Sequence, residues 1–479
     1  MSPAVTIPDS VQRQLSDSGQ SDVLRYWSSL DPLAQRALLN DLASVEFRGL
    51  ADSVRDYVTQ RPKVAIPADI VPAEILPATP DTPQRKKLYD DARAAGEAAI
   101  RAGQVAAFTV AGGQGTRLGY DGPKGAFRIT PIRNAPLFQW FAEYLHGVRR
   151  RYGVVVPWFL MTSPQNDAPT QAFFRDHQHF GLPADSIHFF MQGQMPAFHP
   201  DGRIALAERG RLALSPDGHG GSLRALRASG ALERMSRGGV KYISYFQVDN
   251  PLVHCIDPLF IGLHALTGSE MSSKAVRKAA DRERVGNFCI GDGKLQIIEY
   301  SDLPNELADA KNADGSRRFD AGSIAIHILD RAFVERLTDP NATLRLPWHR
   351  ADKAVPVLDD TGNLVKPTSP NVVKLEMFVF DAIPLAKNPL VMFTDRGEEF
   401  SPVKNAEGSD SPATTRRDLC RRAAAWLRGC GVTLPVGADG SPTHPIEISP
   451  QYALDARDLA DRLRVERPSL RTDGPLLLT

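Results

Sequence analysis

Cysteine is scarce in this 479-residue chain, which contains four cysteines and no C-x-x-C pair. The spacing of Cys255, Cys289, Cys420 and Cys430 favours neither a disulfide framework nor a zinc site. The first ten residues lack a basic stretch followed by an apolar core, and no later run approaches the roughly 18 apolar residues of a membrane helix. The sequence therefore predicts a cytoplasmic protein with no membrane partner.

The chain also lacks an excess of charge of either sign, because 57 basic and 56 acidic residues give a net charge of +1. Without a broad positive field, a nucleic-acid partner is not expected, and any anionic ligand must be bound by a few local side chains. The apolar content of 42% and charged content of 24% are those of a globular protein. At about 150 residues per domain, the length indicates two to four domains.

What the chain does contain is a glycine-rich loop at 111–125, directly after an apolar run predicted to be a buried strand. Five glycines between positions 112 and 122 let backbone N–H groups approach an anion, and Arg117 and Lys124 supply positive charge. Lys124 stands between Pro123 and Gly125, so the loop is not a P-loop, and its glycine spacing is not G-x-G-x-x-G. We interpret it as a third kind of nucleotide loop, because a plain strand-to-helix turn needs neither the length nor the charges.

Apolar strand-like runs alternate with helical segments downstream of this loop, which predicts an α/β fold with a largely parallel sheet. The predicted strands are 105–110, 154–161, 187–190 and 242–248, and segments 286–300 and 374–381 are expected to extend the sheet as paired strands. Three regions are predicted: a mostly helical N-terminal region with a proline-rich connector, a catalytic domain and a small C-terminal domain. Their ranges are 1–84, 85–400 and 401–479.

Polar residues follow several of the predicted strands. Asp249 ends the strand 242–248, where a carboxylate suits a phosphate-bound Mg²⁺, although Asp249 alternatively only starts the Asn-Pro turn. The loop 213–222 has three glycines and is suited to base or sugar binding; alternatively it is a turn before a helix capped by Ser222. Gln192 carries an amide able to donate and accept toward a uracil edge.

Together these motifs resemble the eukaryotic-type UDP-sugar pyrophosphorylases (UDPGP type), and most closely the UDP-N-acetylglucosamine pyrophosphorylases. The resemblance covers roughly residues 85 to 415, with the matches in the same order and at similar spacing. The matching segments are AGGQGTRLG…PKG from 111, MTS at 161, FFRDHQHFGL at 173, FFMQGQMPAF at 189, SPDGHGG at 215, VDN at 248, EYSD at 299, KLEMFVFD at 374 and EFSPVKNAEG at 399.

The resemblance implies a Rossmann-like (GT-A-like) nucleotidyltransferase with a mixed, mostly parallel sheet and helices on both faces. The implied substrates are UTP and a hexose 1-phosphate, the products are a UDP-sugar and pyrophosphate, and the cofactor is Mg²⁺, with Mn²⁺ as the alternative. The implied roles are phosphate binding by Arg117 and Lys124, sugar-phosphate orientation by Lys404, Mg²⁺ binding by Asp249, uridine binding by Gly112, Gly113, Gln192 and Gly218, and sugar binding by His219, Gly286, Glu299, Ser323, Phe378 and Phe380.

Two of these positions depart from the family pattern, because His219 and Ser323 stand where the N-acetylglucosamine enzymes carry asparagine. A mismatched buried polar contact costs about 1–3 kcal/mol, so the departure bears directly on sugar preference. Phe378 and Phe380 offer apolar surfaces suited to an acetyl methyl, although strand burial explains part of their pattern. We therefore expect N-acetylglucosamine 1-phosphate as substrate, with glucose or galactose 1-phosphate as the alternative and a non-catalytic nucleotide-sugar binding protein as the second alternative.

Overall fold

The computed structural model describes residues 5–61, 67, 69–341, 346–466, 470 and 472–479. The chain forms two compact units, each assembled from separated segments. The smaller unit consists of Met1–Ala65, Gln192–Ala225 and Thr343–Ala382, and the larger of Ile66–Met191, Leu226–Ala342 and Ile383–Thr479. The three domain ranges expected from the sequence divide the chain differently and stay a prediction. In the described part of the chain, no helix combines the length and apolarity needed to cross a bilayer.

A ten-stranded mixed sheet organises the larger unit. Its strands are Ile70–Pro72, Val105–Val110, Trp158–Thr162, Ile187–Met191, Tyr242–Gln247, Met271–Arg277, Asn287–Gly291, Lys294–Ile298, Ala321–Asp330 and Leu390–Phe393. The α-helices of this unit are Pro83–Arg101, Leu137–Tyr152, Asp167–Asp176, Ala231–Arg237, Pro258–Leu266, Asn305–Ala308, Arg331–Thr338, Arg396–Glu399, Pro412–Gly429 and Ala456–Glu466. Helices flank both faces of the sheet, which confirms the predicted α/β fold.

Four neighbouring strands at one end of the sheet are parallel. Val105–Val110 pairs in parallel with Trp158–Thr162 on one side and with Tyr242–Gln247 on the other. Ile187–Met191 continues the parallel arrangement beyond Trp158–Thr162. The carboxyl ends of these four strands therefore share one edge, where ligands bind in open α/β sheets.

Two helices of the larger unit, Pro83–Arg101 and Pro258–Leu266, pack very closely against each other. Pro83–Arg101 begins after Thr82, whose hydroxyl accepts a hydrogen bond from the Arg85 amide at 3.1 Å. A Cβ at Gly96 of this helix would lie 1.8 Å from the carbonyl oxygen of Pro258, at the start of Pro258–Leu266. Only glycine permits this approach, so the crossing of the two helices is fixed by the sequence.

The strand Ala321–Asp330 runs antiparallel to Tyr242–Gln247, with His327 opposite Tyr245. Because the two strands run in opposite directions, the first residues of Ala321–Asp330 extend past the carboxyl end of Tyr242–Gln247. The hairpin expected within residues 286–300 is present as Asn287–Gly291 and Lys294–Ile298, and it extends the same sheet.

The segment 374–381 does not extend this sheet, contrary to the sequence expectation. Its strand, Val372–Glu376, pairs with His349–Lys353 in a separate two-stranded sheet of the smaller unit. Residues Val379–Leu385 form a 3₁₀ helix instead of continuing the strand. An alternating pattern indicates that a segment is a strand and which of its side chains are buried, but not which strand pairs with it. Here the pairing strand is His349–Lys353, which was not predicted from the sequence.

Short helices and short strands pack together in the smaller unit. Its helical elements are Asp9–Asp17, Ser21–Leu24, Trp27–Ser29, Pro32–Ala43, Leu50–Ser53 and Val54–Thr59, and Gly221–Ala228 begins in it. Its strands are Gln194–Pro196, Leu206–Glu208, Arg211–Leu212, Leu214–Pro216, His349–Lys353, Val357–Leu358, Leu364–Val365 and Val372–Glu376. One apolar cluster joins Leu15 and Leu38 to Phe198, Val373 and Leu375. The helices of the N-terminal region, which the sequence predicted to be mostly helical, therefore cover this cluster with their apolar faces.

Candidate active site

The glycine-rich loop folds back on itself at the carboxyl end of Val105–Val110. The Lys124 amide donates to the Gly113 carbonyl at 3.0 Å, and the Gly115 amide donates to the Gly122 carbonyl at 2.9 Å. Gly122 has a φ of 144°, a conformation that side-chain-bearing residues rarely adopt. These two backbone hydrogen bonds give the loop a defined shape before any ligand binds.

Asn166, a residue that the sequence reading did not single out, anchors the base of this loop. Its side chain is fully buried, and its amide nitrogen donates to the carbonyls of Ala111 at 2.8 Å and Gly113 at 3.2 Å. Its amide oxygen accepts from the Ser163 amide at 2.8 Å. The available signal was its place just after the MTS segment, at the carboxyl end of the neighbouring parallel strand.

Opposite charges meet at this sheet edge. The Lys124 ammonium lies 3.7 Å from Oδ2 of Asp249, and both side chains are more than four-fifths buried. Arg117 is exposed on the same loop and forms no ion pair with any described residue. The structure thus brings Lys124 to Asp249, and leaves the Arg117 guanidinium open to solvent on the loop that carries Lys124.

Lys404 belongs to a segment attached to the Asp249 turn. The amide of Val403 donates to the Asp249 carbonyl at 2.8 Å, and the amide of Lys404 donates to the Asp410 carbonyl at 2.7 Å. The Lys404 ammonium lies 5.8 Å from the centre of the Phe400 ring. The segment of Lys404 is therefore hydrogen-bonded to the turn of Asp249, and Lys124 contacts Asp249. In this way three of the four predicted charged residues are connected.

The donor set at Asp249 suits a divalent ion that is only partly bound by protein. No cluster of three or more His, Cys, Asp or Glu side chains able to hold a metal occurs among residues 5–61, 67, 69–341, 346–466, 470 and 472–479. Mg²⁺ typically takes one or two carboxylates and completes its octahedron with phosphate oxygens and water. Asp249, whose carboxylate has only a long contact to Lys124, fits that requirement.

The three sugar-binding candidates of the larger unit also come together. The amide of Ser323 donates to the Gly286 carbonyl at 2.8 Å. A Cβ at Gly286 would lie 2.5 Å from Cγ2 of Ile297 and 3.1 Å from Oε1 of Glu299. A side chain at Gly286 would therefore press on Ile297 and on the Glu299 carboxylate.

In the smaller unit, three loops that carry predicted residues are joined by backbone hydrogen bonds. The Asp217 amide donates to the Gly193 carbonyl at 3.2 Å, which brings the loop of Gln192 to that of Gly218. The Met377 amide donates to the Asp217 carbonyl at 2.8 Å, which adds the loop of Phe378. A Cβ at Gly218 would lie 2.4 Å from the Met377 carbonyl oxygen, so close packing explains this glycine.

An aromatic stack lies on these loops. The Phe378 ring stacks on His219, with centroids 5.2 Å apart, and on His349, with centroids 4.2 Å apart. Phe380 lies 5.1 Å from Phe378 and 5.7 Å from His219. Nε2 of His349 lies 2.7 Å from Oδ2 of Asp381, which orients this ring. The two phenylalanines and His219, all predicted to contact sugar, therefore form one surface.

His219 is held as a neutral imidazole of one tautomer. Its Nδ1 accepts a hydrogen bond from the Val379 amide at 3.2 Å, so the ring proton resides on Nε2. Burial, and then the nearby His349, lowers the pKa of His219 to about 4. Above about pH 5 the residue consequently offers a ligand an N–H donor and no acceptor.

We expect His219→Asn to reduce the loss of stability on acidification. The unfolded chain binds a proton at His219 near pH 6.5, whereas the folded chain does so near 4, so wild-type stability falls as the pH drops through this interval. Asparagine does not titrate, so the loss of unfolding free energy between about pH 7 and about pH 4.5 should be about 1–2 kcal/mol smaller in the variant than in wild type. Urea denaturation at both pH values measures it. His444→Asn is the control, since the His444 side chain has no hydrogen bond or ion pair to a described residue; equal slopes in wild type and His219→Asn would contradict the prediction.

Asp217 is a second residue that the sequence reading missed. Burial raises the pKa of its carboxyl to about 6, and its Oδ1 has no hydrogen-bond partner among the described residues. A Cβ at Gly221 would lie 2.1 Å from this oxygen, so the carboxyl lies against the start of Gly221–Ala228.

Ser222 lies inside the helix Gly221–Ala228, and its buried hydroxyl has no partner in the described part of the chain. The alternative prediction that Ser222 caps this helix was therefore wrong.

Comparisons with known proteins agree on one family. The family model described as UTP–glucose-1-phosphate uridylyltransferase matches residues 61–411. The chain is 37% identical to the human UDP-N-acetylhexosamine pyrophosphorylase-like protein 1 over 94% of this chain and 93% of that protein. It is 36% identical to the Saccharomyces cerevisiae UDP-N-acetylglucosamine pyrophosphorylase over 88% of this chain and 91% of that protein.

A solved structure agrees with the sequence relatives. The uridine diphosphate N-acetylglucosamine pyrophosphorylase from Trypanosoma brucei superposes with a TM-score of 0.82 at 27% identity, covering 100% of this chain and 99% of that one. The match spans both units, and the family model covers almost three-quarters of the sequence. The chain therefore belongs to the UDPGP family of UDP-sugar pyrophosphorylases, which are nucleotidyltransferases.

Proposed function

We propose that this protein transfers a uridylyl group from UTP to N-acetylglucosamine 1-phosphate, releasing pyrophosphate and forming UDP-N-acetylglucosamine. An oxygen of the sugar phosphate attacks the α-phosphorus of UTP as the bond to the β-phosphate oxygen breaks, and the electron pair leaves with pyrophosphate. The observation that carries the proposal is the approach of Lys124 to Asp249 at the end of the parallel strands, on a pre-shaped glycine loop.

Such a reaction asks the protein to position two anions and to neutralise charge, and it needs no protein nucleophile. Lys124 and Arg117 hold the β- and γ-phosphates, so that negative charge on the departing pyrophosphate is balanced as it develops. Lys404 orients the sugar phosphate for attack. Backbone N–H groups at Gly112 and Gly113 remain free of bulky side chains and accommodate the nucleotide.

Asp249 would hold Mg²⁺, with Mn²⁺ as a substitute, and the bound ion would supply charge neutralisation at the α-phosphate. Lys124 compensates the charge of Asp249 when no ion is bound, because the two groups are 3.7 Å apart. Gln192 and Gly218 keep the uridine role expected of them from the resemblance.

The choice of the acetylated sugar is supported by the relatives' names and by the apolar surface of Phe378 and Phe380. His219, as an N–H donor without an acceptor, pairs with an oxygen acceptor on the sugar. The description of the matching family model favours glucose 1-phosphate as the second candidate.

The test is pyrophosphate release from UTP and Mg²⁺ with N-acetylglucosamine, glucose and galactose 1-phosphates compared in parallel. We expect kcat/KM for the acetylated sugar to exceed that for the plain hexoses by about ten- to hundredfold, the effect of one well-made polar contact. A preference for glucose would replace the substrate assignment. UTP binding without pyrophosphate release from any of the three would instead support a nucleotide-sugar binding protein.

A further inference from the structure

The turn after the strand Tyr242–Gln247 is tied to the segment that precedes Lys404 by an unusually dense set of hydrogen bonds. Asn250, only 3% exposed, donates from Nδ2 to the Glu399 carbonyl at 2.7 Å. Its Oδ1 accepts from the Ser401 amide at 3.1 Å. The Asn250 side chain thus hydrogen-bonds to one backbone carbonyl and one backbone amide of the segment that precedes Lys404.

Three further hydrogen bonds connect the same stretches of chain. The Val403 amide donates to the Asp249 carbonyl at 2.8 Å. The buried Arg422 donates from Nη1 to the carbonyls of Leu252 at 2.7 Å and Glu398 at 3.0 Å. Five hydrogen bonds therefore connect residues 249–252 to residues 398–403, although about 150 residues separate them in the sequence.

The segment is also anchored from behind. Both carboxylate oxygens of Glu399 lie 2.6 Å from the Lys274 ammonium, and Ser401 Oγ donates to Asp418 at 2.8 Å. Lys404 follows this anchored stretch directly. The hydrogen bonds of the Asn250 side chain and of the Val403 amide consequently fix where the backbone that leads into Lys404 lies against the Asp249 turn.

We propose that Asn250 is a positioning residue that holds the Lys404 segment on the Asp249 turn, and so places the sugar 1-phosphate for attack. The expected effect on kinetics rests on the proposed function. The expected effect on the pairing of residues 249–252 with residues 398–403 does not depend on that function. A displacement of reacting groups by about 1 Å is enough to slow an enzymatic step on the order of a hundredfold.

The test compares Asn250→Ala with Asn371→Ala. Asn371 is a matched control because its side chain also bonds one backbone amide and one carbonyl, both of Val355 and both at 2.9 Å, in the smaller unit. For Asn250→Ala we expect kcat to fall about ten- to hundredfold and KM for the sugar 1-phosphate to rise about tenfold. KM for UTP should change less than about threefold, since the glycine loop has other anchors. Asn371→Ala should change each constant less than about threefold.

Hydrogen exchange, measured without metal or substrate, supplies the readout that is independent of activity. Peptides covering residues 400–405 should exchange at least about tenfold faster in Asn250→Ala than in wild type, and those covering residues 111–125 should not change. If Asn250→Ala does not fold, Asn250→Asp takes its place, because it keeps the acceptor for Ser401 and removes the donor to Glu399.

Unchanged exchange at 400–405, or kinetics no different from Asn371→Ala, would overturn the inference. So would equal rises in KM for UTP and the sugar phosphate, which indicate general damage rather than misplacement of Lys404. If wild type itself turns over none of the sugar phosphates, the proposed function fails, and the exchange result alone then decides whether Asn250 joins the two stretches.

Discussion

Replacing Asp249 with asparagine is expected to lower kcat/KM for uridylyl transfer on the order of 10²–10³-fold at saturating Mg²⁺. The substitution keeps the shape of the side chain and the carbonyl that accepts from Val403, but it removes the charge on which a divalent ion depends. Charge stabilisation by a bound ion is worth several kcal/mol in the transition state, and each 1.36 kcal/mol is tenfold in rate. Titration of the rate with Mg²⁺ and Mn²⁺ measures the effect.

Asp121→Asn is the matched control for this experiment, because Asp121 lies on the glycine-rich loop with an exposed side chain. It should alter kcat/KM less than about twofold. Equilibrium binding of UTP without metal should be retained in both variants, since Arg117 and Lys124 are unchanged. An Asp249→Asn protein with wild-type Mg²⁺ dependence would remove Asp249 from the metal site.

Replacing Lys274 with methionine is expected to lower the free energy of unfolding by about 3–5 kcal/mol. The Lys274 side chain is 2% exposed, and its ammonium lies 2.6 Å from Oδ2 of Asp257 and 2.6 Å from Oε1 of Glu399. Methionine fills similar volume, so the dominant effect is two buried carboxylates left without their cation. Urea denaturation at neutral pH measures the loss, with Lys241→Met, at an exposed position, as the control.

The loss of unfolding free energy in Lys274→Met should depend on pH, and its direction follows from the pKa of Asp257. Burial works against the charge on Asp257, but Lys274 outweighs it and lowers the pKa of Asp257 well below its ordinary value. In wild type this stabilisation is fully present above about pH 4 and is lost as the pH falls below that value. Without the ammonium, burial raises the pKa of Asp257, and protonation relieves the variant. The deficit should therefore shrink between pH 7 and pH 4.

Neutralising a partner should also recover stability. Lys274→Met combined with Glu399→Gln is expected to show a smaller deficit than Lys274→Met alone, since one of the two unpaired charges is gone. A double variant less stable than the single one would mean that packing around Lys274, not charge, dominates.

Local patterns were sufficient to predict the central elements. The strand Val105–Val110 is a continuous apolar run, and the helix Pro83–Arg101 is rich in the strong helix formers Ala, Lys, Arg and Glu. Lys124 and Asp249 each follow a strand that was predicted to belong to a largely parallel sheet, and the carboxyl ends of parallel strands share an edge; the structure brings the two residues together there. Both predictions depend on residues that are close in sequence or on a general rule of sheet geometry.

Long-range pairings were the part that the sequence did not reveal. Asn166 and Asn250 look like ordinary turn residues, and their roles depend on carbonyls and amides far along the chain. Asp217 resembles a turn residue of the same kind, yet burial alters its titration. The strand Val372–Glu376 was recognised as a strand but assigned to the wrong sheet, because its partner is chosen by tertiary packing.

The apolar cluster of the smaller unit has a consequence for the order in which the protein is made. Leu15 and Leu38 emerge early from the ribosome, whereas Val373 and Leu375, which complete their cluster, follow more than 300 residues later. At about 5–20 residues per second, the first helices wait tens of seconds for these strands. During that interval their apolar faces are available to chaperones or to other nascent chains. A chain truncated between residues 226 and 340 lacks Val373 and Leu375, so its N-terminal helices cannot complete this cluster.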